Sequence, residues 1–274
     1  MTTAVQSSII IVPTGYALGA EIQGVDLRSP ISEADVAQIR QALLDYMVIF
    51  FRDQQISEQQ QVEFTRHFGI PIEHVREQRD RPIKEIFVIS NVKENGEPIG
   101  ALGNDEISYH SDLSYMRKPG TISTLYAVEI PSTGGQTEWV NCYAIYESLS
   151  DEMKTRLKGK RAVHRHYVES QNPQELVDQP VVRRHPQTNK PSLFVGPHLT
   201  KNILGVSQEE SDAILKELNE VIHQPRFAYR HHWRVGDLLV WDNRATMHRR
   251  EPFPATERRI MKRTQIFNDE IPYE

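Results

Sequence analysis

The sequence predicts a mainly β fold with flanking helices, of the sandwich or barrel type. Short runs rich in β-branched and aromatic residues alternate with Gly, Pro and Asn, a pattern typical of antiparallel strands. Helical patterns are few and lie towards the ends of the chain, which disfavours a βαβ sheet. The 274 residues contain no internal repeat and no G-x-G-x-x-G, Walker A, G-x-S-x-G or H-E-x-x-H motif. These absences argue against solenoids, nucleotide-binding folds, nucleophile elbows and zincins.

Three helices are predicted from their N-terminal patterns. Each begins at a serine that is followed three residues later by an acidic or amide residue, which is the spacing of a capping box. Apolar residues then recur at helical spacing on one face in the first and third of them. The helices start after Ser32, Ser57 and Ser207 and end before Met47, at Gly69 and before Pro225.

Eight strands are predicted from runs of β-forming residues bounded by turn residues. They are Met47–Phe51, Ile86–Ser90, Thr121–Ile130, Thr137–Val140, Arg161–Tyr167, Leu193–Val195, Leu238–Trp241 and Ile260–Phe267. Residues 168–192 are polar and contain four prolines, so we predict a long irregular loop that acts as a lid or insertion. A surface insertion without function is the alternative. The whole chain, residues 1–274, is predicted to form a single domain.

Composition and charge restrict the possible functions. The formal net charge is -5, which argues against general binding to nucleic acid or to acidic membranes. The longest apolar runs, Ile9–Val12 and Met47–Phe51, are too short to span a bilayer. Met1–Ser8 has no basic residue and no long apolar core, which argues against a secretory signal. The single cysteine, Cys142, excludes an internal disulfide, and we therefore expect a cytoplasmic protein.

A candidate metal site begins with His110 and Asp112. On a strand these residues would share a face, because side chains alternate with period two. Together with a second imidazole they would form the facial triad of non-haem Fe(II) enzymes. His248, which follows the buried strand near Trp241, could supply it. The pair alone is weak evidence, since roughly half an H-x-D is expected by chance here, and a hydrogen-bonded structural histidine is the alternative.

Two arginines near the C-terminus suggest an anion site. On a strand, Arg259 and Arg263 would share one face, while Arg258 and Lys262 would point the other way. Buried guanidinium groups are costly unless they meet carboxylates or similar anions. The alternative, a solvated basic strand, explains the outward pair better than the inward pair.

Several sequence blocks together resemble one known family. In chain order they are Gly24–Leu27, Arg66–Gly69, His110–Asp112, Pro131–Thr137 and Trp241–His248, followed by Arg259. This combination is similar to the Fe(II)/2-oxoglutarate-dependent dioxygenases of the TauD/TfdA family, and it covers nearly the whole chain. The resemblance implies a double-stranded β-helix core of the jelly-roll, cupin-like kind.

The resemblance also implies roles for individual residues. His110, Asp112 and His248 match the iron ligands. Arg259 and Thr137 match the residues that bind the cosubstrate 2-oxoglutarate. Residues implied to contact the primary substrate are Arg263, which would grip an anionic group, and His74, Leu113, Asn91 and His198. An ordinary surface histidine is the alternative for His74.

The implied reaction couples O2 and 2-oxoglutarate to hydroxylation of a C–H bond, with release of succinate and CO2. The substrate is expected to be a small anionic molecule, with an aryloxyalkanoate favoured. Tyr109 stands where the family usually has Trp, and Glu106 stands where a taurine enzyme offers an amide, which argues against taurine. No nucleic-acid or membrane partner is expected, and a homo-oligomer is possible.

Three alternatives remain open at this point. One is a sulfonate or sulfate-ester dioxygenase. Another is oxidative desaturation or decarboxylation of an amino-acid-derived substrate on the same scaffold. The third, more remote, is a non-catalytic barrel that binds a metal or an anion. Other conspicuous residues are assigned structural roles in the core or at the surface: His164, His166, His231, His232, Trp139, Trp233 and Trp241.

Overall fold

The structure, a computed structural model, describes residues 9–74, 81–267 and 271–274. Met1–Ser8, on which the expectation about a secretory signal rests, lies outside these ranges. Within them there are five α-helices: α1 (Glu33–Tyr46), α2 (Glu58–Thr65), α3 (Cys142–Ser148), α4 (Asp151–Leu157) and α5 (Gln208–Ile222). Two short 3-10 helices occupy Glu169–Gln171 and Pro225–Phe227. No helix in the described ranges is long and apolar enough to cross a membrane.

The strands of the described ranges are short, as the sequence predicts. In the first half they are β1 (Ile10–Pro13), β2 (Ala20–Gln23), β3 (Val48–Phe51), β4 (Pro71–Ile72), β5 (Phe87–Ser90), β6 (Lys93–Glu94), β7 (Glu97–Pro98), β8 (Ile107–His110), β9 (Gly120–Glu129) and β10 (Thr137–Asn141). In the second half they are β11 (Arg161–His164), β12 (Asp178–Pro180), β13 (Val182–Arg184), β14 (Pro191–Leu193), β15 (Thr200–Ile203), β16 (Ala228–His231), β17 (Leu238–Asp242), β18 (Thr246–Arg250) and β19 (Ile260–Phe267). The mainly β prediction is confirmed.

Two sheets carry the residues of interest. The larger follows the order β1-β2-β3-β17-β9-β19-β4, with β5 also paired to β19; among its described strands, β2 and β3 pair in parallel and the other strand pairs are antiparallel. The smaller follows the order β16-β10-β18-β8. A buried cluster containing Trp139 and Tyr229 of the small sheet with Leu239, Trp241 and Met261 of the large one joins the two. Burial of this apolar surface stabilises the pairing of the sheets.

The helices cover the outer surfaces. Ile39 and Leu43 of α1 and Phe64 of α2 pack with Phe51 and Val240 of the large sheet. A separate cluster buries α3, α4 and α5 against β14 and β15. The three predicted caps are confirmed, because each serine accepts a hydrogen bond from the backbone N–H three residues ahead.

The prediction of an irregular loop over residues 168–192 is wrong for its second half. That half contains β12, β13 and the start of β14. β12 pairs with the distant β11, β13 and β14 form a hairpin, and Val181 and Val182 are buried. Part of its polar composition lies inside the protein, because Gln179, Arg183 and His185 are buried and hydrogen-bonded.

Candidate active site

His110, Asp112 and His248 meet at the small sheet. β8 ends at His110, so Asp112 lies in the following turn and not on a strand, which was the condition of the shared-face argument. His248 lies in the middle of β18, directly opposite His110. The ligand-type atoms of the three residues lie within 4.8 Å of one another. The strand argument for Asp112 was therefore wrong in detail, yet the turn still brings its carboxylate to the imidazoles.

The atoms that converge suit a divalent transition metal. Asp112 Oδ1 lies 3.7 Å from His110 Nε2 and 4.0 Å from His248 Nε2. Two imidazole nitrogens and one carboxylate oxygen on one side of a common centre form the donor set that non-haem Fe(II) oxygenases use. His110 Nδ1 hydrogen-bonds to Ser108 O at 2.9 Å, which fixes the ring.

The site also holds these groups in their ligand forms. Burial, with the charge of the neighbouring His248, lowers the pKa of His110 to about 3, and burial lowers the pKa of His248 to about 4. Burial alone would raise the pKa of Asp112, but the Arg263 guanidinium and both imidazoles hold it below its usual range. Neutral imidazoles and an ionised carboxylate bind a metal without first losing protons.

Three residues that the sequence reasoning did not single out hold Asp112 in place. Asn243 Oδ1 accepts the Asp112 N–H at 2.8 Å, and Asn243 Nδ2 donates to Asp112 O at 3.0 Å. Asp112 Oδ2 accepts from Gln265 Nε2 at 2.9 Å and from Ser123 Oγ at 3.2 Å. Oδ1 is therefore the carboxylate oxygen that faces the imidazoles. The even spacing of Gln265 from Arg263 on β19 is the pattern that could have revealed this role.

Arg263 lies directly beside the carboxylate. Its guanidinium contacts Asp112 Oδ1 at 3.1 Å and Oδ2 at 3.3 Å, and its other nitrogen lies 2.7 Å from His74 Nε2. The His74 ring stacks on Phe87 with ring centroids 4.0 Å apart. His74 is buried, so the alternative of an ordinary surface histidine is wrong.

Arg259 precedes β19 and is 2% exposed. No hydrogen bond or ion pair of its guanidinium is present in the described ranges, and its Nε is buried without an acceptor. Burial, with the like charge of Arg250, lowers its pKa to about 9. A buried cation that lacks a protein anion is a candidate receptor for an anionic ligand.

Neighbouring groups hold Arg259 in place. Asn91 Oδ1 accepts the Arg259 N–H at 3.0 Å, and Asn91 Nδ2 donates to Glu257 O at 2.8 Å. Gly135 lies beside Arg259, since a Cβ there would be 3.4 Å from Arg259 Cδ, an ordinary contact; its φ of +67° and a Cβ distance of 2.9 Å to Pro131 Cγ are what require glycine. The Thr137 hydroxyl accepts the indole N–H of Trp233 at 3.1 Å and keeps its own hydrogen for another acceptor.

His110, Asp112 and His248 together are called the metal-type cluster. A cavity of about 480 Å³ is lined by two of them, His110 and Asp112. Its lining includes the predicted substrate residues His74, Leu113, His198 and Arg263. Asn91, Thr137 and Arg259 are not among the described lining residues, and the Asn91 amide is occupied by backbone groups.

Aromatic residues form one wall of the cavity. The His198 ring lies 5.4 Å from both His110 and Tyr167, and the Tyr167 ring lies 4.2 Å from His166. Tyr115 packs 5.1 Å from His166. His166 therefore lines the cavity, beyond the purely structural role that the sequence indicated, and Tyr115 and Tyr167 were not predicted at all.

Two imidazoles and a carboxylate that converge beside a cavity, with buried arginines next to them, define the class of non-haem iron oxygenases. The family model described as "Taurine catabolism dioxygenase TauD, TfdA family" matches residues 11–265. The chain therefore belongs to the TauD/TfdA family.

Curated relatives and solved structures agree with this assignment. The chain is 32% identical to an α-ketoglutarate-dependent 2,4-dichlorophenoxyacetate dioxygenase of Cupriavidus pinatubonensis, over 96% of this chain and 99% of that protein. It is also 32% identical to an alkylsulfatase of Acinetobacter baylyi, over 91% of this chain and 82% of that protein. A crystal structure of a taurine dioxygenase from Burkholderia xenovorans superposes with a TM-score of 0.84 at 34% identity, covering 97% and 93% of the two chains. The chain is accordingly a 2-oxoglutarate-dependent dioxygenase.

Proposed function

We propose that this enzyme couples oxidative decarboxylation of 2-oxoglutarate to hydroxylation of a small anionic substrate, with aryloxyalkanoates favoured. The observation that carries the proposal is the convergence of His110, Asp112 and His248 beside a cavity that His110 and Asp112 line. Fe(II) held by these three side chains would activate O2 with the electrons that decarboxylation of 2-oxoglutarate releases, which leaves succinate and CO2.

Arg259 and Thr137 are the proposed receptors of the 2-oxoglutarate carboxylate remote from the metal. A planar guanidinium can bind a carboxylate through two parallel hydrogen bonds. Arg259 is suited to this role because no described protein anion occupies it. The Thr137 hydroxyl can add a donor, since its oxygen already accepts from Trp233.

Arg263 is the proposed receptor of the substrate anion. In the structure its guanidinium neutralises Asp112, and it lines the cavity at the same time. A divalent cation at the three ligand atoms would neutralise Asp112 in its place, which would let Arg263 share its charge with a substrate anion. His74, Leu113 and His198 are proposed to shape the pocket around the reacting carbon. Asn91 is proposed to act by holding Arg259.

The aromatic wall supports an aryl group on the substrate. Tyr115, His166, Tyr167 and His198 offer ring faces and edges on one side of the cavity. Such surfaces favour offset-stacked or edge-to-face contact with a substrate ring. Glu106 also lines the cavity and would disfavour a second negative group near it.

A substrate panel tests this proposal. With Fe(II), 2-oxoglutarate and O2, we expect succinate formation to be stimulated by aryloxyalkanoates more than by alkylsulfonates, sulfate esters or N-substituted amino acids. Replacement of Tyr167 by Ala should lower kcat/KM for aryloxyalkanoates more than for alkyl sulfates. Equal stimulation by alkyl and aryl anions would contradict the aryl assignment.

A sulfate-ester substrate is the second candidate, because the alkylsulfatase of Acinetobacter baylyi is as similar in identity as the aryloxyacetate enzyme. Arg263 would suit a sulfate as well as a carboxylate. Desaturation or decarboxylation of an amino-acid-derived substrate is distinguished by product analysis. A non-catalytic barrel would produce no succinate with any substrate.

The proposal also covers the type of β fold, the domain organisation, the cellular location and the oligomeric state. The large and the small sheet are proposed to be the halves of a double-stranded β-helix. The buried cluster that contains Trp139 and Trp241 and joins the two sheets supports this proposal. The chain is proposed to be one domain, with residues 168–192 as a lid or insertion that begins directly after Tyr167 of the cavity lining. A cytoplasmic location, supported by the lone buried Cys142, and a homo-oligomer are also proposed.

A further inference from the structure

A row of aromatic side chains crosses the small sheet from the metal-type cluster to its far edge. His110 pairs with His248, His248 with Trp139, and Trp139 with Tyr229 on successive antiparallel strands. Residues directly opposite one another in such strands share a face of the sheet. The row therefore begins at two candidate metal ligands and ends at a tyrosine on β16.

The rings in and beside this row form a continuous chain of neighbours. The Trp241 ring lies 5.0 Å from the His248 ring and 5.7 Å from the Trp139 ring. Trp139 lies 6.4 Å from Trp233, and Trp233 lies 4.6 Å from His231. Neighbouring rings at such separations exchange electrons readily by tunnelling.

The indoles nearest the cluster are in environments that favour transfer over trapping. The Nε1–H groups of Trp139 and Trp241 are buried and have no acceptor in the described ranges. An indole that loses an electron there cannot pass its proton to a neighbour. It therefore remains a cation radical, which the next aromatic donor can reduce.

Unlike these two indoles, Tyr229 has a proton acceptor beside its hydroxyl. Its hydroxyl lies 2.7 Å from His231 Nδ1, and His231 Nε2 lies 3.0 Å from Asp237 Oδ2. Asp237 also accepts from Arg52 and from the Arg234 N–H. Since the carboxylate can only accept, His231 carries its proton on Nε2, and its Nδ1 accepts the phenol hydrogen. Burial lowers the pKa of His231, which keeps the ring neutral and able to accept that proton.

The row of aromatic rings ends close to solvent. The Tyr16 ring lies 5.9 Å from the Tyr229 ring, and Tyr16 is 70% exposed. Tyr229 itself is 5% exposed and stacks on Phe50. A small reductant in solution can therefore reach the Tyr16 ring, the neighbour of Tyr229, while the rings further inside stay protected from water.

We propose that Tyr229, His231 and Asp237 form a redox-active tyrosine site that ends an electron-transfer chain from the metal-type cluster through Trp241, Trp139 and Trp233. The chain would serve when O2 is activated without substrate. In that event, decarboxylation of 2-oxoglutarate would leave the metal site oxidised by two electrons relative to its resting state. Tyr229 would supply one electron as its phenol proton moves to His231 Nδ1, and the second in the same way only after the phenol has been restored; two solvent protons would complete reduction of the oxygen atom to water. A one-electron reductant such as ascorbate or a thiol would restore the phenol.

This inference rests on the proposed function only for its source of oxidant, so the test has two arms. In the first, enzyme with Fe(II) and 2-oxoglutarate but no substrate is mixed with O2 and freeze-quenched. EPR on protein with deuterated tyrosine, succinate yield and peptide mapping of the tryptophans are then measured. In the second, metal-free protein is oxidised by a photosensitised ruthenium complex, and the same EPR spectrum is recorded.

The variants are Tyr229→Phe and the control Tyr126→Phe, whose hydroxyl donates only to Gln54 O. We expect a tyrosyl radical in both arms for the wild type and the control, and its loss in Tyr229→Phe. That variant should also accumulate oxidised Trp139 or Trp241 and lose activity several-fold faster without substrate, with coupled turnover unchanged.

Each other outcome has one meaning. Succinate without a radical at Tyr229 in the first arm would overturn the chain, even if the ruthenium arm gave one. A radical that persists in Tyr229→Phe would overturn the tyrosine assignment. No succinate in the first arm would show that O2 is not activated without substrate and would overturn the role of the chain, while a radical in the second arm would still support the tyrosine site. The proposed function itself is tested separately by the substrate panel.

Discussion

Adjacent arginines on this chain occupy opposite environments. Arg259 is buried with no described anion, whereas Arg258 is exposed and pairs with Glu129 at 2.8 Å. An exposed pair of this kind contributes little to stability. A buried guanidinium that lacks a carboxylate is costly, and an anionic ligand would offset that cost.

Replacement of Arg259 by Ala should therefore raise the KM for 2-oxoglutarate. Loss of a charge-assisted pair of hydrogen bonds costs about 1.5–3 kcal/mol, which corresponds to roughly a tenfold to hundredfold rise. Steady-state kinetics at saturating substrate measures this change. Arg258→Ala is the matched control and should leave the KM unchanged. A similar KM in both variants would refute the role of Arg259.

Gln265 should affect metal affinity although it is not a ligand. Its amide binds Asp112 Oδ2 and leaves Oδ1 facing the imidazoles. Gln265→Leu should weaken binding of Mn(II) or Fe(II), measured anaerobically by calorimetry, by about tenfold to hundredfold. Gln59→Leu is the control, because the exposed Gln59 donates only to Glu63. Unchanged affinity in Gln265→Leu would contradict this positioning role.

At the scale of elements, helix starts were predictable because their cause is local. Ser207 accepts the Glu210 N–H at 3.1 Å and satisfies one of the donors that α5 leaves unpaired at its N-terminus. Ser207→Ala should lower the free energy of unfolding by about 1 kcal/mol, measured by urea denaturation. Ser207→Gly should lower the free energy of unfolding by only a few tenths of a kcal/mol. Equal losses in the two variants would argue against capping.

Strand ends and pairings were less predictable, because their causes lie far away in the sequence. β8 ends at His110 because Asn243 captures both backbone groups of Asp112, 131 residues away. β12 forms because β11 pairs with it, although proline and polar residues suggested a loop. Helices α3 and α4 were missed, even though Asn141 and Ser150 cap them in the same local way as the predicted helices.

The same contrast applies to the candidate site. Residues carrying the chemistry could be proposed from their types and order, as for His110, Asp112 and His248. Residues that support them, such as Ser123, Asn243 and Gln265, act through side-chain contacts across sheets. Serine, asparagine and glutamine have many other uses, so their identity alone does not reveal such contacts.

For the molecule as a whole, buried histidines should make stability depend on pH. Burial, with the charge of Arg183, lowers the pKa of His164 to about 3. Below the unfolded pKa of about 6.5, the unfolded chain binds a proton that the folded protein refuses. Neutral His164 therefore contributes fully to the free energy of unfolding above about pH 6.5, and this contribution is lost as the pH falls towards the pKa of His164 in the folded protein.

His164→Gln should make this loss shallower. One proton corresponds to about 1.4 kcal/mol per pH unit, so the slope of unfolding free energy between about pH 4 and about pH 6 should decrease by up to that amount. Urea denaturation at several pH values measures the slope. His223→Gln, at the exposed end of α5, is the control for the substitution of glutamine for a histidine. An unchanged slope in His164→Gln would show that His164 is protonated alike in both states.

The most direct test of the central claim is anaerobic. Fe(II) and 2-oxoglutarate are added to the purified protein, and the visible absorption spectrum is recorded for the wild type and for His110→Ala. A facial triad that holds iron with three open positions predicts a weak charge-transfer band in the wild type and none in the variant. Absence of the band in the wild type, with iron shown not to bind, would contradict the assignment of His110, Asp112 and His248 as a metal centre.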